Sequence, residues 1–338
     1  MFSLKSQRSK LRLKLFWKGI GLLTLTVLLL VCVVLYHFQR FHTTADKVIL
    51  HSDLRNQAVI IPFQLKNNLI SVYAEFAHRK KECIIDTGSA AILWPQDAGL
   101  PARKTLSWGY AKDALGNQVK LTEYTVGSVK IGNYELLGVP TLAVSGDSSS
   151  SRSYPDLRRV CDLGNSAFSE TIMTIDYKKR ILILQSSSYD PIQHCSKRCF
   201  VFPFQWKSRV PGASNFGYLV IAAKTSGHPL SIVVDTGDSS PATTLTDSYA
   251  KAHLSEKKLN RNWSQKTAFG ETKADWLPSL KIFVPNARSK PPGLVISQPA
   301  VILPDQHDGA DAIIGYAVLK DYRVTIDYPR QKILLEPN

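Results

Sequence analysis

The sequence predicts an all-β protein of two similar lobes following an N-terminal transmembrane helix. Three observations carry this. From Val59 onward the chain is rich in β-branched and aromatic residues broken by turn-forming residues, with no sustained helical period except a short face after Asp247. Four landmarks occur twice in that region, in the same order, at a separation far beyond any solenoid repeat. Ahead of it, Gly19 to Tyr36 contains no charged residue, which is long enough to cross a bilayer as a helix.

The N-terminal elements come first. Lys5, Arg8, Lys10, Arg12, Lys14 and Lys18 precede the apolar run with no acid among them. Residues 1–18 read as a basic cytoplasmic tail, residues 19–38 as the anchor and residues 39–58 as a polar stalk. The rival to an anchor is a cleaved signal peptide, but Tyr36-His37-Phe38-Gln39-Arg40-Phe41 is bulky where a cleavage site needs small residues. A single-pass protein with its bulk in a periplasmic or extracellular space is expected, and the compact chain favours a bacterial inner membrane. The formal net charge is +15. Much of it sits in the tail, and no basic stripe with interleaved aromatics appears, so a nucleic-acid partner is not expected.

The repeat sets the lobes. Pro62-Phe63-Gln64 returns as Pro203-Phe204-Gln205. Ile84-Ile85-Asp86-Thr87-Gly88 returns as Val233-Val234-Asp235-Thr236-Gly237. Leu163-Gly164 returns as Ile314-Gly315, and Thr174-Ile175-Asp176-Tyr177 as Thr325-Ile326-Asp327-Tyr328. Lobe one is placed at residues 59–186, a polar linker at 187–199 and lobe two at 200–338. A turn at Arg209 to Phe216 accounts for the extra length early in lobe two.

Each Asp-Thr-Gly puts a carboxylate at the end of a buried strand, with a glycine that lets backbone approach closely. One copy reads as an ordinary strand-to-turn corner. Two copies inside a duplication read as one carboxylate pair. Two carboxylates in contact cannot both ionise, so they share a proton and divide general base and general acid roles. Asp86 and Asp235 are therefore the catalytic candidates, with the choice of base left open.

Of five cysteines, Cys32 lies in the apolar run. Cys195 and Cys199 are expected to pair in an oxidising compartment. Cys83 and Cys161 pair as well if their strands are neighbours. His194 beside the first pair does not complete a metal-ligand set, so neither metal nor organic cofactor is expected.

The set of marks resembles the aspartic proteases: Asp-Thr-Gly after an apolar strand, a glycine-bearing hairpin some thirty residues later, then an apolar-apolar-Gly strand, best seen in Asp311-Ala312-Ile313-Ile314-Gly315. The resemblance covers nearly everything after residue 58. It looks most like the retropepsin-like branch, with two lobes fused in one chain. It implies an acid-protease fold and an endopeptidase acting on a polypeptide, complete as a catalytic monomer. It implies that Thr87 and Thr236 lock the two loops together through their hydroxyls, with Gly88 and Gly237 allowing the approach. Ser89 would donate to the outer oxygen of Asp86. Hairpin tips at Leu115-Gly116-Asn117 and Phe269-Gly270-Glu271 would close over the peptide, and Asp162 and Ile313 would line its groove.

Two positions depart from the family pattern. Asp238 stands where a hydroxyl or methyl residue usually follows the glycine, and cannot donate to Asp235 when ionised. One reading turns it outward, leaving Ser239 or Ser240 to donate. Asp162 aligns with Ile313. It either makes an acidic subsite that favours a basic substrate residue or is a surface or salt-bridged residue. These departures keep a second function class open, a catalytically silent peptide-binding module on the same fold.

Overall fold

The structure is a computed structural model that describes residues 49–50, 58–94, 102–112, 118–144, 161–207, 217–254, 260–267, 270–288, 292–303 and 310–338. The predicted tail and the 19–38 anchor lie outside the described residues. Among the described residues no helix is long and apolar enough to cross a membrane. Residues 48–338 form one compact unit.

Strands dominate. The first twelve are β1 (Ile49–Leu50), β2 (Val59–Pro62), β3 (Gln64–Lys66), β4 (Leu69–Phe76), β5 (Arg79–Ile85), β6 (Ile92–Trp94), β7 (Ala102–Lys112), β8 (Gln118–Ile131), β9 (Tyr134–Val144), β10 (Cys161–Leu163), β11 (Thr171–Asp176) and β12 (Ile181–Ser186). The next ten are β13 (Phe200–Lys207), β14 (Tyr218–Thr225), β15 (His228–Val234), β16 (Thr243–Thr246), β17 (Asn260–Thr267), β18 (Gly270–Pro285), β19 (Gly293–Leu303), β20 (Ala312–Ile314), β21 (Tyr322–Asp327) and β22 (Lys332–Pro337). Among the described residues two α-helices, α1 (Asp247–His253) and α2 (Tyr316–Leu319), and a 3-10 turn at Asn165–Ala167 interrupt them. The Thr246 hydroxyl caps α1 by accepting the Tyr249 N–H, and Tyr249 and Ala250 are its buried residues.

The duplication is visible in the pairing. In lobe one, β5 runs parallel to β10, β10 antiparallel to β6, and β6 parallel to β9. In lobe two, β15, β20, β16 and β19 repeat that sequence of parallel, antiparallel and parallel contacts. Ile49–Leu50, inside the stretch expected to be stalk, pair with Leu137 and Leu136. The lobe-one sheet thus reaches back into that stretch.

The lobes share a six-stranded antiparallel sheet in the order β2-β12-β11-β21-β22-β13. Its centre is the pairing of Thr174 with Thr325, where two buried hydroxyls meet at 2.9 Å. Ile172 faces Asp327 and Asp176 faces Arg323, a register symmetric about that threonine pair. The two Thr-Ile-Asp-Tyr copies are therefore the strands beside the pseudo-twofold axis. Their aspartates close the turns that follow: Asp176 accepts the Lys179 N–H and Asp327 the Arg330 N–H.

The Pro-Phe-Gln copies have a packing role. Phe63 meets Tyr177 edge-on at 6.2 Å, and Phe204 meets Tyr328 at 6.5 Å with nearly the same interplanar angle. One continuous apolar core runs beneath both lobes.

Candidate active site

Asp86 follows β5 and Asp235 follows β15. Each loop is tied down by its neighbouring parallel strand: the Asp86 N–H donates to the Leu163 carbonyl at 3.1 Å, and the Asp235 N–H to the Ile314 carbonyl at 3.0 Å. The apolar-apolar-Gly motif exists because these loops run directly over it. A Cβ on Gly164 would lie 2.3 Å from the Ala91 carbonyl oxygen, and one on Gly315 at 2.3 Å from that of Asp238.

The two loops interlock. The Thr87 hydroxyl donates to the Val234 carbonyl at 2.7 Å and accepts the Thr236 N–H at 2.9 Å. The Thr236 hydroxyl donates to the Ile85 carbonyl at 2.7 Å and accepts the Thr87 N–H at 3.1 Å. Both threonines are buried, so each of these four bonds is shielded from competing water.

The glycines make room for the carboxyls. A Cβ on Gly88 would sit 2.4 Å from the Asp235 carboxyl carbon, and a Cβ on Gly237 at 2.5 Å from Asp86 Oδ1. The Gly88 N–H donates to Asp86 Oδ1 at 2.8 Å and to Asp235 Oδ1 at 3.1 Å, so one amide bridges the pair. Asp235 Oδ1 also accepts the Gly237 N–H at 2.7 Å. Burial first, then the like charge of Asp235, then that of Asp162, hold the Asp86 carboxyl well above the usual range.

Ser89 is not a donor to Asp86. Its hydroxyl donates to the Ala91 carbonyl at 2.9 Å, closing its own turn. Asp238 does not turn outward. Its Oδ1 accepts the Ser240 N–H at 2.8 Å, while its Oδ2 is buried without a partner. Ser240 instead accepts the Ala242 N–H. Burial and the charge of Asp235 push Asp238 up to about 7.

Asp162 is not a surface residue, and among the described residues it forms no salt bridge. It is 7% exposed, and its Oδ1 has no partner. It lies mid-β10, level with Ile84 on one side and Leu93 on the other. Burial and then Asp235 push it up to about 7. Its counterpart Ile313 is buried in a small apolar cluster with Val220, Val233 and Ala310. The hairpins β7–β8 and β17–β18 are present. Leu115, Gly116, Asn117 and Phe269 at their tips lie outside the described residues. Gly270 pairs with Thr267 and Glu271 with Lys266 at the head of β17–β18.

Both disulfides form, Cys195–Cys199 and Cys83–Cys161. The second staples β5 to β10, the strands that deliver Asp86 and Asp162. In lobe two the same register holds Ile232 opposite Ala312, an apolar contact in place of the bond. Among the described residues no group of side chains is placed to hold a metal ion.

Two supporting residues were missed in sequence. The Asn165 side-chain amide donates to the Thr87 carbonyl at 2.8 Å and to the Gly217 carbonyl at 2.9 Å. Tyr328 donates to Asn165 Oδ1 at 3.0 Å. This buried chain ties the Asp86 loop to lobe two. Asn165 follows one repeated mark and Tyr328 ends another, which is the signal that could have found them. Tyr316, the counterpart of Asn165, instead packs edge-on against Tyr177 at 5.9 Å.

No family model matches the chain. No curated protein matches it either. Among solved structures it is similar to an aspartic proteinase from Irpex lacteus, at 14% identity and a TM-score of 0.48, covering 83% of this chain and 98% of that one. It is also similar to the basic 7S globulin from soybean, at 11% identity and a TM-score of 0.49, covering 83% of this chain and 95% of that one. At these identities and scores the likeness carries nothing over about activity.

Proposed function

We propose that the chain is an aspartic endopeptidase that hydrolyses peptide bonds with a water activated by Asp86 and Asp235. The observation that carries this is the Gly88 N–H shared between the two carboxyls, which sets one aspartate from each lobe at a common point. Negative charge on Asp235 is met by two N–H donors and on Asp86 by one. Burial and the neighbouring carboxyls drive Asp86 towards protonation. Asp235 is thus the base and Asp86 the acid. Asp235 takes a proton from a water whose oxygen attacks the scissile carbonyl carbon. Asp86 hydrogen-bonds the carbonyl oxygen as it gains charge. The C–N bond then breaks, and the departing nitrogen takes up a proton from the pair. One chain supplies both aspartates, so a monomer suffices.

The uncharged run Gly19 to Tyr36 and the basic residues before it support a membrane anchor, with the N-terminus cytoplasmic and the catalytic unit on the far side. The two disulfides favour an oxidising compartment, periplasmic or extracellular. Substrates are then extracytoplasmic proteins. The small lobes favour the retropepsin-like branch of the family.

The test incubates purified chain with an unfolded protein between pH 4 and 7, comparing wild type, Asp86→Asn and Asp235→Asn, with and without pepstatin. Cleavage by wild type that both substitutions abolish is the expected result. Cleavage that survives both sinks the assignment. Peptide binding without cleavage favours the silent module. Recovery of the chain in the soluble fraction after alkaline washing of membranes would count against the anchor.

A further inference from the structure

Asp162 and Asp238 have no place in the two-carboxyl mechanism, yet both adjoin it. Asp162 comes from lobe one and Asp238 from lobe two. Each has one carboxyl oxygen that is buried and unpartnered, Oδ1 in Asp162 and Oδ2 in Asp238. The lobe-two counterpart of Asp162 is Ile313, and the lobe-one counterpart of Asp238 is Ser89. The duplication therefore shows that neither fold position needs a carboxyl. A buried carboxyl without a partner is costly when ionised, so its presence beside other carboxyls calls for a role.

Among the described residues no cation shifts Asp86, Asp162 or Asp238. Asp162 is flanked by Ile84 on β5 and Leu93 on β6, and the charges it meets are Asp235 and Asp86. Asp238 lies over Gly315, its backbone carbonyl accepts the Tyr316 N–H, and the charge it meets is Asp235. The other titratable groups set against this cluster are Tyr177, whose hydroxyl is pushed up by burial first and then by Tyr316 and Asp235, and Tyr316 itself. Lys320 lies 5.5 Å over the Tyr316 ring. Among the described residues no lysine or arginine bonds to any of the four carboxyls.

We infer that Asp162 and Asp238 are positioning residues that act through the dyad, one from each lobe, and that their charge sets the pH up to which Asp86 and Asp235 keep their shared proton. This rests on the peptidase reading of the dyad. While both flanking carboxyls are protonated, the cluster carries the single negative charge the mechanism needs. As pH rises, a proton lost from either one adds negative charge beside the dyad and strengthens its hold on its own proton. The dyad is thereby kept singly ionised at higher pH than two carboxyls alone would allow. That both flanking groups are lifted to about 7 agrees with this placement.

The test is the pH profile of kcat/KM on one unfolded-protein substrate, for the full-length chain and for Asp162→Asn, Asp238→Asn and the double variant. The alkaline limb should move to lower pH by about one unit in each single variant and further in the double. Asp162→Ile and Asp238→Ser, which borrow the residue of the opposite lobe, should give the same shift and stand in for any asparagine variant that fails to fold. Profiles that superimpose on wild type overturn the inference. So does a change confined to KM for substrates with basic side chains, which would make Asp162 a substrate contact. The two levels separate cleanly. If wild type shows no cleavage that Asp86→Asn abolishes, the peptidase reading fails. If it does and the limbs coincide, only the role of the flanking carboxyls fails.

Discussion

Asp162 makes a stability prediction that needs no catalysis. Its carboxyl is lifted from an ordinary value of 3.8 to about 7 by burial and by Asp235. The folded chain therefore holds this proton across a window of about 3 pH units in which the unfolded chain has released it. Each unit is worth about 1.4 kcal/mol, so linkage gives at most about 4 kcal/mol. The sign is the reverse of an ordinary salt-bridged aspartate. With respect to this group the fold is most stable below about pH 4, weakens as pH rises towards 7, and then levels off. Asp162→Asn keeps the shape and removes the titration. Urea unfolding of wild type and variant from pH 4 to 8 should show nearly equal stability at pH 4 and a more stable variant at pH 7.5. The gain should be a few kcal/mol, less than the limit because Asp86, Asp235 and Asp238 share the relaxation. Curves that stay parallel across the range would refute the reasoning, because they would mean that Asp162 ionises as freely when folded as when unfolded.

Gly88→Ala places a Cβ 2.4 Å from the Asp235 carboxyl, about 1 Å inside ordinary contact. The carboxyl must retreat and loosen its 3.1 Å bond from the Gly88 N–H, so kcat/KM should fall roughly 100-fold with little change in thermal stability; a variant within twofold of wild type refutes this. Replacing Cys83 and Cys161 by isoleucine and alanine installs the lobe-two pair at the same register. It removes a cross-link spanning 78 residues, for which loop closure gives about 4.5 kcal/mol. The added buried methylenes offset part of this, so urea unfolding should show a net loss of about 3 kcal/mol; a loss under 1 kcal/mol would show that packing alone holds β5 to β10.

Much of the arrangement was legible in the chain, because duplication turns weak local signals into strong ones. Asp86 and Asp235 each follow an apolar strand, and the repeat alone paired them. The two Thr-Ile-Asp-Tyr copies and the two Pro-Phe-Gln copies marked corresponding places. Their roles, lining the pseudo-twofold axis and packing phenylalanine on tyrosine, appear only in three dimensions. The Cys83–Cys161 bond depended on β5 and β10 being neighbours, a long-range fact that local pattern does not carry.

The side-chain details of the site diverged most. Ser89 turned to the Ala91 carbonyl because that acceptor lies within its own turn. Asn165 and Tyr328 are far apart in sequence, and their bond joins one lobe to the other. Asp162 and Asp238 were visible as departures from pattern, but a sequence does not report burial. The chain by itself determined that there are two lobes, that each offers one aspartate, and that a glycine must follow at close range. Those properties follow from strand periodicity and the lack of a Cβ. The tertiary structure alone decided that one amide bridges the pair, and that two further carboxyls lie against it in surroundings that disfavour their charge. Both depend on which residues of one lobe meet the other, and on water being kept away from where they meet.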